Sequence, residues 1–121
     1  MALILIIEDD DQFRSMLKQM LGRAGHEVMD APDGKEGLRM YRERPADLII
    51  TDIIMPEKEG LETIHALRKD YPDIKVIAIS GGGTMGTELY LDMAKGLGAS
   101  RAFSKPIDRG KLLSAINDLL G

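Results

Sequence analysis

Two hydrophobic periods alternate along this chain, and that alternation limits its fold more than any other feature. Leu3-Ile4-Leu5-Ile6-Ile7 is an unbroken apolar run, as a strand covered on both faces requires. Phe13, Met16, Leu17, Met20 and Leu21 follow at helical spacing, and Gly22 and Gly25 are read as the stop of that helix. Glu27-Val28-Met29 reads as a second strand, and Asp33 with Glu36 as a capping box opening a helix that carries Gly37, Leu38 and Tyr41 on one side. Leu48-Ile49-Ile50 is a third buried strand, running into Asp52 and a loop with Pro56 and Gly60. Leu61, Ile64 and Leu67 mark a helix that Pro72 ends. Val76-Ile77-Ala78-Ile79 is a fourth strand, and Leu89, Tyr90, Met93 and Leu97 mark the helix after it. Ala102-Phe103 belong to a short fifth strand. Asp108 can cap a last helix with the stripe Leu112, Leu113, Ile116, Leu119 and Leu120.

Five strand-then-helix repeats with short connections predict an α/β fold, a parallel sheet with helices on both faces. A chain of 121 residues without linker or low-complexity tract is expected to form one domain over 1–121. It stops where the last helix stops, so no output domain is expected. In open sheets of this kind, ligands sit outside the carboxyl ends of the strands. The residues there are Glu8 and Asp9 after the first strand, Asp52 after the third, Ser80 after the fourth and Lys105 after the fifth.

Composition removes several alternatives. The chain has no cysteine, which excludes disulfide scaffolds, thiol catalysis and cysteine-held zinc. His26 and His65 lack ligand neighbours at metal-binding spacing. The net charge is −4 and no basic block occurs, which argues against direct nucleic-acid binding. Met1–Ile7 is too short an apolar run for a signal peptide or membrane span, so a cytoplasmic protein without membrane contact is expected.

Bare carboxylates at Glu8, Asp9 and Asp52 would repel one another, and a hard divalent cation with oxygen ligands relieves this, Mg²⁺ (or Mn²⁺) suiting it best. An anionic Asp52 can then attack an anionic phosphoryl donor, because the metal and Lys105 offset the repulsion between them. Ser80 can donate a hydrogen bond to a phosphoryl oxygen.

With those residues assembled, the chain resembles the response-regulator receiver domains of two-component signalling, over essentially its whole length. The motifs are the acidic pair Glu8-Asp9, the D-x-x-M-P-x-x-x-G run of Asp52, Met55, Pro56 and Gly60, the hydroxyl of Ser80, and Lys105-Pro106. The resemblance implies a flavodoxin-like (βα)5 doubly wound sheet of order 2-1-3-4-5. It implies Asp52 as phosphoacceptor and Asp9, Asp52 and the Ile54 carbonyl as direct metal ligands, with Glu8 acting through metal-bound water. It also implies Lys105 as phosphoryl partner, Ser80 as switch hydroxyl and a cis Lys105-Pro106 bond. The expected donor is a sensor histidine kinase or histidine phosphotransfer protein. Specificity for it is expected on the first helix, around Arg14, Ser15 and Lys18. The phosphorylated form would change conformation, act on a downstream protein and slowly dephosphorylate itself, without turning over external substrates.

One departure concerns switching. Receivers commonly carry Tyr or Phe three residues before the lysine; here that residue is Ala102, and Phe103 is one place late. Strand side chains alternate faces, so Phe103 should point to the other side. Either a local bulge restores it, or the protein signals without an aromatic switch; the second is expected here.

Gly81-Gly82-Gly83-Thr84-Met85-Gly86 fits a dinucleotide fingerprint, but it follows the fourth strand and too little chain remains for a cofactor-binding half. Those glycines are read instead as loop freedom or as room beside Asp52. Asp10 and Asp11 stay open between site and structure, with Asp11 able to cap the first helix. The main functional alternative is an interaction module that keeps the fold and never uses the chemistry. A metal-dependent phosphohydrolase is disfavoured by Ile54, which stands where a proton-relaying acid is wanted. A flavin protein is disfavoured by the absence of tryptophan.

Overall fold

The structure is a computed structural model that describes residues 2–53, 59–81, 92, 95–96 and 98–121. Five parallel strands, β1 (Leu3–Ile7), β2 (Glu27–Ala31), β3 (Leu48–Asp52), β4 (Val76–Ser80) and β5 (Arg101–Ser104), form one sheet in the order β2-β1-β3-β4-β5. Between them run helices α1 (Asp11–Arg23), α2 (Gly34–Glu43) and α3 (Glu59–Asp70), and α4 (Arg109–Leu120) closes the fold. The parallel sheet expected from the alternating periods is present, and its strand order is the flavodoxin-like one that the family resemblance implies. Of the helix expected over 89–97, Asp92, Lys95 and Gly96 are helical, and the remainder lies outside the described residues.

The strands are apolar on both sides because both sides are covered. Ile4, Ile6, Leu48, Ile50, Ile77 and Ile79 pack with α1 and α4 through Leu17, Leu21, Leu112 and Ile116. Leu5, Ile7, Ile49, Val76 and Ala78 face the other way, with Tyr41 of α2 and with Ile64 and Leu67 of α3. Ile4, Ile6, Ile7 and Ile49 are wholly buried, each contributing about 1.5–3 kcal/mol before chain entropy is counted. Tyr41 meets Tyr71 edge-on, ring centroids 4.8 Å apart.

Local signals set most helix ends, with three corrections. Asp10, not Asp11, is the cap of α1: its carboxylate accepts from the backbone of Gln12 and Phe13, and Asp11 is already helical. Gly22 lies inside α1. The stop is Gly25 at φ +95°, where Gly25 N donates to Gly22 O and His26 N to Leu21 O, a double closure that a side chain would strain. Gly60 belongs to α3 rather than to the preceding loop. Asp33 caps α2 through Glu36 N, while the Glu36 carboxylate turns to Arg39. Asp108 caps α4 through Lys111 N at 3.0 Å, as its position predicts.

Gly37 and Gly22 make opposite predictions. A Cβ on Gly37 would come within 2.4 Å of the buried Ile7 side chain, whereas one on Gly22 meets nothing within 4 Å. Gly37→Ala should cost a net of about 1–2 kcal/mol despite better helix propensity. Gly22→Ala should gain about 0.5–1 kcal/mol. Urea unfolding midpoints of the two variants check both signs.

Candidate functional site

Strand order reverses between β1 and β3, and the carboxyl ends of the strands open there. Asp52 is the last residue of β3 and Ser80 the last of β4, and Glu8 directly follows β1. All three are buried: Glu8 is 1% exposed, Asp52 4% and Ser80 0%. Strand parity aims them. Asp52 continues the Leu48 and Ile50 side of β3, and Glu8 the Ile4 and Ile6 side of β1, so both acids turn toward the α1 side. Lys105 continues the Phe103 side of β5, also toward α1.

The Lys105 ammonium joins the two acids. Its Nζ lies 2.7 Å from Glu8 Oε1 and 3.1 Å from Asp52 Oδ2. Carboxylate oxygens of Glu8, Asp9 and Asp52 lie within 4.8 Å of one another, so these three acids could hold a metal ion. Asp9 is exposed, in contrast to the other two. Ile54, Met55 and Pro56 lie outside the described residues. Ser80 Oγ is buried and has no hydrogen-bond partner among the described residues, although the Ser80 carbonyl accepts from Lys105 N at 2.8 Å. The Lys105-Pro106 bond is cis.

Electrostatics follow from burial. Removal from water, with Asp52 close by, pushes the Glu8 carboxyl up to about 8 against the pull of Lys105. Burial disfavours the Lys105 charge, but the hydrogen bond to Glu8 and the charge of Asp52 outweigh it, and the ammonium is held above its ordinary range.

Three residues around the site were not assigned to it from the sequence. Phe13 of α1 lies with its ring centroid 4.2 Å from Lys105 Nζ. Asp10 donates its backbone N–H to Glu8 Oε2 at 3.3 Å. Arg14, expected to contribute to donor specificity, donates to the Glu8 carbonyl at 2.8 Å and pairs with Asp30 at 3.1 Å and with the exposed Asp11 at 2.6 Å. The run of four acids after β1 flagged this segment. Nothing in the sequence marked a ring at helical spacing as a neighbour of a lysine 92 positions on. Beside the site, Phe13, Met16, Met20, Pro106, Ile107 and Arg109 line an apolar groove of about 730 Å³.

The aromatic offset resolves cleanly. Ala78, Ile79 and Ser80 pair with Ala102, Phe103 and Ser104 in unbroken register, so no bulge intervenes. Phe103 packs with the α1 and α4 core and Ala102 with the opposite one, which rules out the bulge alternative.

Residues 4–117 match the family described as the response regulator receiver domain. The chain is 35% identical over 119 residues to the DNA-binding transcriptional regulator NtrC of Azospirillum brasilense, covering 98% of this chain but only 24% of NtrC. It is 33% identical to the chemotaxis protein CheY of Thermotoga maritima, over 94% of this chain and 93% of CheY. A receiver domain protein of Clostridium thermocellum superposes with a TM-score of 0.89 at 31% identity, covering 99% of this chain and 94% of its own. The chain belongs to the response-regulator receiver domain family. Receiver domains are phosphoacceptor signalling domains of two-component systems, and they take a divalent metal in an acidic pocket of the kind described above.

The raised Glu8 carboxyl carries a pH prediction. The folded chain keeps that proton up to about 8, while the unfolded chain releases it near the ordinary 4.5. Between those values the folded state binds more protons, so stability must fall as pH rises. In the presence of a chelator, urea midpoints should decline from pH 5 to pH 8, and Glu8→Gln should flatten that decline.

Proposed function

We propose that Asp52 accepts a phosphoryl group from a phosphohistidine donor, a sensor histidine kinase or histidine phosphotransfer protein, and that the modified chain then acts on a downstream protein. One observation carries the reading: the half-buried Lys105 ammonium is shared by the buried acids Glu8 and Asp52, at the same sheet edge where the buried Ser80 hydroxyl has no partner among the described residues. An unsatisfied buried hydroxyl costs about 1–3 kcal/mol, and a phosphoryl oxygen on Asp52 would satisfy it.

In this reading an Asp52 carboxylate oxygen bonds to phosphorus while the phosphorus–nitrogen bond of the donor breaks. The electron pair leaves with the imidazole nitrogen, which takes up a proton, and Asp52 becomes an acyl phosphate. Lys105 follows the negative charge from the carboxylate to the phosphoryl oxygens, and Ser80 donates to one of them. Glu8, Asp9 and Asp52 are the residues that would hold Mg²⁺ or Mn²⁺, and their hard oxygen donors fit such an ion. When bound, that ion supplies positive charge which lets an anionic nucleophile meet an anionic donor. The Ile54 carbonyl is proposed as a further ligand from the family pattern alone.

The chain is proposed to modify itself rather than turn over external substrates, since Ile54 cannot relay a proton two residues after Asp52. A cytoplasmic location goes with this chemistry, because phosphohistidine is made at the expense of ATP. An acidic chain of net charge −4 favours a protein target over direct nucleic-acid contact. A docked phosphodonor would lie over the groove beside Lys105, whose apolar lining includes Met16 and Met20 of α1.

Mass measurement after incubation with acetyl phosphate and Mg²⁺ should show one added phosphoryl group, absent from Asp52→Ala and abolished by chelation. Lys105→Met should slow the gain about 10²-fold or more, the scale of losing a charge-stabilising donor. A chain that stays silent to both acetyl phosphate and beryllofluoride would be the inert interaction module instead.

A further inference from the structure

We propose that Phe13 is a positioning residue for Lys105: the face of its ring holds the ammonium over the two acids and so sets the rate at which Asp52 is phosphorylated. This rests on the phosphoacceptor reading above and adds to it a residue on a different element. Three observations carry it. The ring centroid is 4.2 Å from Nζ, well inside the ~6 Å range over which an aromatic face attracts a cation. Lys105 is flexible, and its ammonium has three donors, two of which go to Glu8 and Asp52. The Lys105 side chain keeps 22% of its surface exposed, so the two carboxylates alone do not enclose it.

The third observation is that the backbone of Phe13 is tied to Glu8 through Asp10. Its backbone N–H donates to Asp10 Oδ1 at 3.2 Å, and Asp10 N donates to Glu8 Oε2 at 3.3 Å. Lys105 returns to Glu8 through Oε1. The contacts close a circuit: Glu8 to Asp10, Asp10 to Phe13, Phe13 to Lys105, and Lys105 back to Glu8. A change in the ring therefore reaches the ammonium without touching either carboxylate. An aliphatic side chain at position 13 would keep the apolar contact with the α1 and α4 core and lose only the cation-binding face.

The test compares Phe13→Leu with Phe13→Tyr. With acetyl phosphate and saturating Mg²⁺, Phe13→Leu should gain phosphoryl mass about 2- to 5-fold more slowly, the scale of one partly exposed cation–π contact, while Phe13→Tyr stays within about 2-fold of the parent. In a Lys105→Met background, Phe13→Leu should change the residual rate no further. The Lys105 Hε resonances should be shifted upfield by the ring in the parent and in Phe13→Tyr, and return to ordinary lysine values in Phe13→Leu. Should Phe13→Leu fail to fold, Phe13→Met takes its place with the same expectation. A Phe13→Leu rate equal to the parent's, or Lys105 resonances unshifted in the parent, would overturn the proposal. Failure of the parent to gain any mass would instead sink the phosphoacceptor reading, and the resonances would still decide the contact between Phe13 and Lys105.

Discussion

Glu8 and Asp52 are almost fully out of water, and a single ammonium answers for both. Charges taken out of water cost several kcal/mol each unless they are closely paired, so this contact is a condition for the sheet's rim to close with acids inside it. The topology makes the meeting possible. β1 and β3 are neighbours, which sets Glu8 beside Asp52. β5 lies two strands beyond β3, roughly 10 Å at ordinary strand spacing. A long unbranched stem spans that gap, which gives a physical reason for lysine at position 105. The cation comes from a residue 97 positions after Glu8, so the site exists only once the whole sheet has formed.

Strand parity explains both the convergence and the departure. Glu8, Asp52 and Lys105 share the α1 side, whereas Ser80 continues the Val76 and Ala78 side of β4. Ala102 pairs with Ala78 and packs on that same side, and Phe103 packs with α1 and α4. A methyl group has no rotamers, so no rotamer switch operates at position 102. In the proposed reading, whatever follows the capture of a phosphoryl oxygen by Ser80 must pass through backbone or helix displacement instead of a turning ring.

Much of this was legible in order along the chain. Strands covered on both faces read as solid apolar runs, and the rule that ligands sit at carboxyl ends then selected Glu8, Asp9, Asp52, Ser80 and Lys105 without coordinates. The parity of Phe103 was legible for the same reason, since alternation along a strand is strict. Helix ends were less so. A run of three aspartates offers several equivalent caps, and only the backbone path selects Asp10. Gly22 looks like a terminator in sequence, but an exposed glycine one turn before a left-handed Gly25 is tolerated in the last turn. Phe13 over Lys105 could not be read at all. It depends on how α1 crosses the end of β5, a tertiary relation with no local signature. The expected role of the Ile54 carbonyl and the helix over 89–97 involve residues beyond those described.

The same acids that make the site chemically useful make it costly to fold. Glu8 is pushed upward mainly by burial and next by Asp52, so between the ordinary 4.5 and about 8 the folded chain holds a proton that the unfolded chain releases, and above that range it carries a repulsion that the unfolded chain does not. Lys105 offsets part of it, and its own raised affinity for a proton is the other side of that balance. Any cation that binds the folded acids and not the unfolded chain must stabilise the fold by mass action. Metal occupancy, protonation of Glu8 and the position of the Lys105 ammonium are thus alternative ways of answering one excess of negative charge, and a change in any one must shift the other two. Phe13 enters that balance from outside the carboxylates, by holding the ammonium where both acids can use it.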